Sequence, residues 1–117
     1  MLHTVILYVR DPERSSEFYV RHFGLTVAHR EAGMVELQGQ DGAGLLLHAA
    51  AKSARLGQAG MKLAFAVEDV AGFIARAAEH GLVFGPIHAA DGYEFANAKD
   101  PDGHHLSVSS RAFRNPA

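Results

Sequence analysis

From His3 to Val9 β-branched and aromatic residues recur throughout, with Thr4, Ile6 and Tyr8 on one side and Val5, Leu7 and Val9 on the other. Side chains of a strand point to opposite faces with a period of two, so this run predicts a strand with two unlike faces. Asp11-Pro12 predicts a helix start. Asp accepts from free first-turn amides, and Pro at the first helical position gives up a donor that would be unused there. Gly24 ends the helix, and the spacing of Phe18, Tyr19 and Phe23 predicts one stripe packed on the Val5, Leu7, Val9 face. Leu25 to Arg30, Met34 to Gln38 and Leu45 to Ala49 read as three short antiparallel strands, the last entered from a turn at Asp41-Gly42.

From Lys52 to Gly60 the chain is polar and punctuated by glycine, as linkers are. A second unit then starts. Met61 to Val67 alternates like a strand and Asp69 stands at a helix start. Val70, Phe73, Ile74, Ala77 and Ala78 follow a buried helical stripe, and Gly81 is the stop signal. Val83 to His88 predicts a further strand, with Gly85-Pro86 as a bend or bulge within it. Tyr93 to Ser110 predicts a hairpin about Asp100-Pro101-Asp102-Gly103, whose residues suit a type I turn. The capping aspartates Asp11 and Asp69 and the helix-ending glycines Gly24 and Gly81 recur at a spacing of about 58 residues, an internal repeat. The expected fold is therefore α+β, with two βαβββ repeats forming a half-open barrel. A single domain spans residues 1–117, with repeat one about 1–50, a linker about 51–60 and repeat two about 61–111. The helices lie outside, and the curved inner face is where a ligand would go.

A chain of 117 residues, 48% hydrophobic, is long enough to bury a core. Its formal charge is −2 with the basic residues scattered, which leaves no electrostatic footprint for nucleic acid or an anionic membrane. The expected partner is a small organic molecule or a second copy of the chain. Cysteine is absent, which excludes disulfides, thiolate metal sites and cysteine nucleophiles. The amino terminus has no signal-like segment and no stretch approaches membrane-spanning length, so a soluble cytoplasmic protein is expected.

Leu7-Tyr8-Val9-Arg10-Asp11, Phe18-Tyr19, Phe23-Gly24-Leu25, Phe65-Ala66-Val67-Glu68-Asp69 and Asp100-Pro101-Asp102-Gly103 occur in that order. Through them the chain resembles the vicinal oxygen chelate superfamily, which holds glyoxalase I, the bleomycin and fosfomycin resistance proteins and extradiol dioxygenases. The resemblance implies paired βαβββ modules and a homodimer. It also implies positions for a divalent metal. In the family pattern a first-strand ligand stands seven residues before each capping Asp, which falls on Thr4 and Lys62. A late carboxylate stands four residues after the Gly of Asp-Pro-Asp-Gly, which falls on Ser107, and the remaining position falls on His48. Lysine repels a metal, neutral hydroxyls are weak ligands for Zn²⁺ or Ni²⁺, and one imidazole remains, so no metal and no cofactor are expected. His3 does not replace Thr4, because one step along a strand reverses the side chain. His104 and His105, being neighbours, point to opposite faces.

The expected ligand-binding residues are Thr4, Tyr8, His48, Lys62, His105 and Ser107. Lys62 shares a face with Ala64 and Ala66; it either reaches into the concave space, as a point charge for a carboxylate, phosphate or enolate-like oxygen, or runs along it to water. His48 reads as a partly buried imidazole or as a base. The first functional reading is a metal-free small-molecule-binding protein resembling the bleomycin-resistance-like branch. The alternative is a glyoxalase-like lyase or isomerase, with Lys62 stabilising an enediolate-like oxygen and His48 or His105 moving the proton. A structural or regulatory homodimer is the third.

Overall fold

The computed structural model of the chain describes residues 2–40 and 42–115. Of the expected turn at Asp41-Gly42, Asp41 lies outside the described residues. Two compact units divide the chain, Met1–Gln58 with Pro101–Gly103, and Ala59–Asp100 with His104–Ala117.

The first unit runs β1 (Thr4–Val9), α1 (Pro12–Phe23), β2 (Thr26–Glu31), β3 (Met34–Gln38) and β4 (Gly44–Ala49). Its sheet has the order β1-β4-β3-β2. β1 runs parallel to β4, with Thr4 opposite Gly44 and Tyr8 opposite His48, while β3 is antiparallel to both neighbours. The capping residues act as their types predict. The Asp11 carboxylate accepts from the amides of Glu13 and Arg14, and Gly24 closes α1 in the left-handed region at φ 67°.

Helix α1 packs chiefly on β3 and β4 rather than on β1. Its buried residues are Ser15, Ser16 and Tyr19, and Phe18 and Phe23 of the expected stripe are only half-buried. Two serines present so little bulk that the helix settles close to the middle strands. The bulky Phe18 and Phe23 are left to its flanks, where they contact each other and Tyr19. Val35, Leu37, Leu45 and Leu47 complete this core, with Val9 from β1.

The second unit runs β5 (Leu63–Ala66), α2 (Val70–Glu79), β6 (His88–Ala90), β7 (Tyr93–Lys99), β8 (His105–Ser109) and a 3₁₀ turn at Arg111–Phe113. The sheet order β5-β8-β7-β6 repeats that of the first unit, again with the outer strand β5 parallel to β8. Asp69 caps α2 through the Gly72 amide, and Val70 and Ala77 are its buried residues. Ala78, expected on the same stripe, is exposed.

Two expected strands differ from the structure. Met61 and Lys62 precede β5, and Met61 is exposed. Val83 to Ile87 is irregular, and β6 begins only at His88. Proline explains the second difference: the Gly85 amide donates to the Asn97 carbonyl at 2.8 Å, but Pro86 has no donor with which to continue the ladder. Leu82 and Phe84 are nevertheless buried, and Phe84 stands edge-on to Phe73 of α2 at 6.1 Å. No helix among the described residues is long and apolar enough to cross a membrane.

The β7–β8 hairpin closes as its sequence requires. The Asp100 amide donates to the His104 carbonyl at 2.9 Å, and the Asp100 carboxylate accepts from the His104 amide at 2.9 Å. Gly103 takes φ 82°, the left-handed residue that follows a type I turn in a three-residue loop. The tip residues Pro101–Gly103 belong to the first unit, where the Asp102 carboxylate accepts from the Arg10 amide at 3.0 Å and from the Arg14 guanidinium at 2.7 Å.

Candidate functional site

Each sheet carries its helix on one face and leaves the other open. In the first unit the register places Thr4, Ile6 and Tyr8 of β1 beside Gly44, Leu46 and His48 of β4 on the open face. Ile6, Tyr8 and His48 are exposed there. Tyr8 and His48 come together, ring centroids 5.5 Å apart and tilted by 59°. The His48 Nδ1–H donates to the Ala49 carbonyl at 2.9 Å, so in the neutral ring Nε2 carries the lone pair. His48 is thus an exposed group rather than the partly buried one that its leucine neighbours suggest.

Thr4 does not join this pair. It stands four positions before Tyr8 on β1, roughly 13 Å at strand rise. Its hydroxyl is hydrogen-bonded to His3 Nδ1 at 2.6 Å. His3 lies just before β1, where the alternation of a strand no longer fixes its direction, so its ring folds onto its neighbour.

In the second unit the open face carries Ala64 and Ala66 of β5, Ser107 and Ser109 of β8, and Phe95 and Asn97 of β7, paired in register. Lys62 enters this face from the segment before β5. Its ammonium donates to the Asn97 side-chain oxygen at 2.9 Å and lies 5.3 Å from the centre of the Phe95 ring, a cation–π distance. Lys62, Asn97, His105 and Met61 line an open cavity of about 480 Å³. This volume is within the range that holds a small organic molecule. Ser107, between Ala64 and Asn97, is 2% exposed. Lys62 and His105 therefore share one cavity, with Ser107 buried in the sheet beside it.

Sequence reasoning missed Asn97 and Phe95. Both stand two and four residues after Tyr93 in the alternating β7 run, on the side of its polar and aromatic residues, and that periodicity was the available signal.

Residues 1–108 match the family model of the Glyoxalase/Bleomycin resistance protein/Dioxygenase superfamily. The chain belongs to this superfamily. Solved structures agree with the assignment at the level of fold. The oxidase ChaP-H2 is 24% identical, with a TM-score of 0.78 over 95% of this chain and 93% of that one. TnmS3, an antibiotic binding protein from Streptomyces sp. CB03234, is 20% identical, with a TM-score of 0.79 over 100% of this chain and 96% of that one. SMU.1112c is 25% identical, with a TM-score of 0.76 over 93% and 97%. No match was found among curated protein sequences.

The superfamily's metal positions, carried onto this chain, do not fit a divalent ion. Thr4 offers a hydroxyl already bonded to His3, and Ser107 a buried hydroxyl. Lys62 is spent as a donor to the Asn97 amide oxygen, and lysine is a poor ligand for a divalent ion. His48 is the one good donor. Among the described residues no group of three or more His, Cys, Asp or Glu side chains is placed to hold a metal.

Proposed function

We propose that this member of the superfamily is a metal-independent binding protein for a small organic molecule carrying an oxyanion, held at the Lys62 cavity of the second unit. The observation that carries the reading is the Lys62 ammonium, oriented by Asn97 and Phe95 at the wall of a cavity that His105 also lines. An ammonium so placed is a point charge for a carboxylate, phosphate or enolate-like oxygen. Binding and release require no further catalytic group, which suits a donor set without a metal site. Thr4, Tyr8 and His48 belong to the proposal as residues of the first unit's open face, and Ser107 as the buried support beside Asn97. The antibiotic-binding neighbour TnmS3 supports a sequestering role. A homodimer is proposed on the family resemblance, to be checked by light scattering during gel filtration.

The sharing of one cavity by Lys62 and His105 favours a second reading, a lyase or isomerase. There, Lys62 would stabilise the oxyanion of an enediolate-like intermediate while an imidazole removes the proton from the adjacent carbon and returns it elsewhere. A calorimetric screen of small organic acids and aromatic antibiotics tests the binding reading, with each hit monitored by NMR for conversion. A stable complex with unchanged ligand supports sequestration; turnover supports the second reading, and the absence of any hit removes both.

A further inference from the structure

Apart from the Lys62 cavity, a second groove of about 1060 Å³ opens at the end of the same unit, lined by Asp91, Tyr93, Arg111, Arg114 and Asn115 with backbone from Gly92. Its two guanidinium groups converge on one ring: Arg111 and Arg114 each lie 5.7 Å from the centre of Tyr93. The local fold dictates this. The turn after β8 is 3₁₀, with Phe113 and Arg114 amides donating to the carbonyls of Ser110 and Arg111. Arg111 opens this turn and Arg114 is the extended residue that ends it, so one short turn supplies both side chains. The Arg111 amide is held by the Ser109 hydroxyl at 3.1 Å, and Tyr93 is fixed by its place at the start of β7.

Neither guanidinium has an ion-pair partner among the described residues, and Asp91, although it lines the groove, is paired with neither. Two cations drawn to one ring lining one groove give that groove a positive charge that an anion would neutralise. A guanidinium's planar fork matches a carboxylate or phosphate in two parallel hydrogen bonds, and the Tyr93 ring holds the forks by cation–π attraction. We infer that Arg111, Arg114 and Tyr93 form a second ligand site, one that takes the oxyanion of a carboxylate or phosphate group.

The full chain is titrated calorimetrically with inorganic phosphate and with benzoate at constant ionic strength, chloride serving as the control anion. In the Lys62→Ala chain, which lacks the charge of the first cavity, one-to-one binding of phosphate, benzoate or both is expected, and which of them binds identifies the group. In that background Arg111→Ala and Arg114→Ala should each weaken binding tenfold or more. Arg111→Lys, which keeps the charge and loses the fork, should weaken it severalfold. In the unmutated protein, the Nε–Hε resonances of two arginines should shift on adding the bound anion, a readout that does not depend on a variant folding. Binding to the Lys62→Ala chain no stronger than that of chloride would overturn the site, and so would binding that Arg111→Ala leaves unchanged in that background. A failure here leaves the Lys62 cavity untouched, because that cavity is read from the acid binding that the parent chain has and Lys62→Ala loses.

Discussion

The Lys62 ammonium reaches across the open face of the second sheet to the Asn97 side-chain oxygen, 2.9 Å away, although the residue as a whole is exposed. A lysine before a strand of small residues has two courses, along the surface to water or inward over the sheet. Here it goes inward, above Phe95. The charge is thereby held over one place rather than swept through solvent, and an arriving oxyanion has less side-chain freedom left to remove.

Lys62→Ala separates a role in binding from a role in stability. As an exposed side chain it should change unfolding free energy by no more than about 0.5 kcal/mol. Binding of acidic ligands at the cavity should fall about tenfold or more, equivalent to about 1.4 kcal/mol, with Lys62→Arg retaining part of it. Urea melts and calorimetry measure the two quantities, and acid ligands that bind Lys62→Ala at full strength would remove the residue from the site.

Metal removal should change nothing. Protein dialysed against a chelator and then freed of it should keep its melting temperature and its ligand affinity, because the positions that would hold an ion carry Thr4, His48, Lys62 and Ser107. Stoichiometric Zn, Ni, Mn or Fe in the purified protein, or affinity restored only by adding one of them, contradicts the proposal.

Asp102→Ala should destabilise the protein by about 1 kcal/mol, the net contribution of a hydrogen bond whose remaining partner water can reach. The Asp102 side chain is 4% exposed, whereas that of Arg14 is 51% exposed. The exposed half of this ion pair contributes little. Most of the loss should arise at the Arg10 amide, which Asp102 also satisfies at 3.0 Å. Asp102→Asn keeps an acceptor for that amide and should lose less. Equal denaturation midpoints for Asp102→Ala and the parent chain would remove this account.

Gly57 and Gly60 make a matched test of backbone constraint. A Cβ on Gly57 would stand 2.8 Å from the Gly103 carbonyl oxygen, and its φ is +77°. Gly57→Ala should therefore cost about 1–3 kcal/mol. A Cβ on Gly60 meets nothing within 4 Å, so Gly60→Ala should be neutral or stabilise by up to about 1 kcal/mol. Thermal melts that rank the two variants in the opposite order would show that the Gly57 approach is not needed for folding.

Ser15→Ala should stabilise the chain. The Ser15 hydroxyl is fully buried and finds no hydrogen-bond partner among the described residues, so removing it relieves the desolvation of a polar atom, about 1 kcal/mol. Chemical denaturation that shows a loss of similar size instead would mean that the hydroxyl has a bonded partner after all.

Local chemistry made most of the architecture readable. Asp11 and Asp69 cap helices, Gly24 closes one, and Asp100 to Gly103 closes a hairpin, each because a short-range rule leaves few alternatives. The errors lie where tertiary packing decides. Ser15 and Ser16 look like surface residues, and only the nearness of β3 and β4 buries them. The strand expected from Val83 failed at Pro86 because one missing donor outweighed the apolar residues around it. Among candidate residues, Tyr8 and His48 could be paired from strand register once β1 was known to lie beside β4. Asn97 could not be paired with Lys62, since nothing in a linear pattern says which way a lysine outside a strand will bend.

The shortness of β6 constrains how copies of this chain could join. It is an outer strand of only three residues, and Pro86 stands just ahead of it. An outer strand with a long row of free amides and carbonyls invites a foreign strand to zip alongside and, with enough copies, to grow into aggregates. Here such a row is too brief to hold a newcomer in register. Self-association of this protein by continuation of the second sheet beyond β6 is therefore disfavoured, whatever its other outer strands allow.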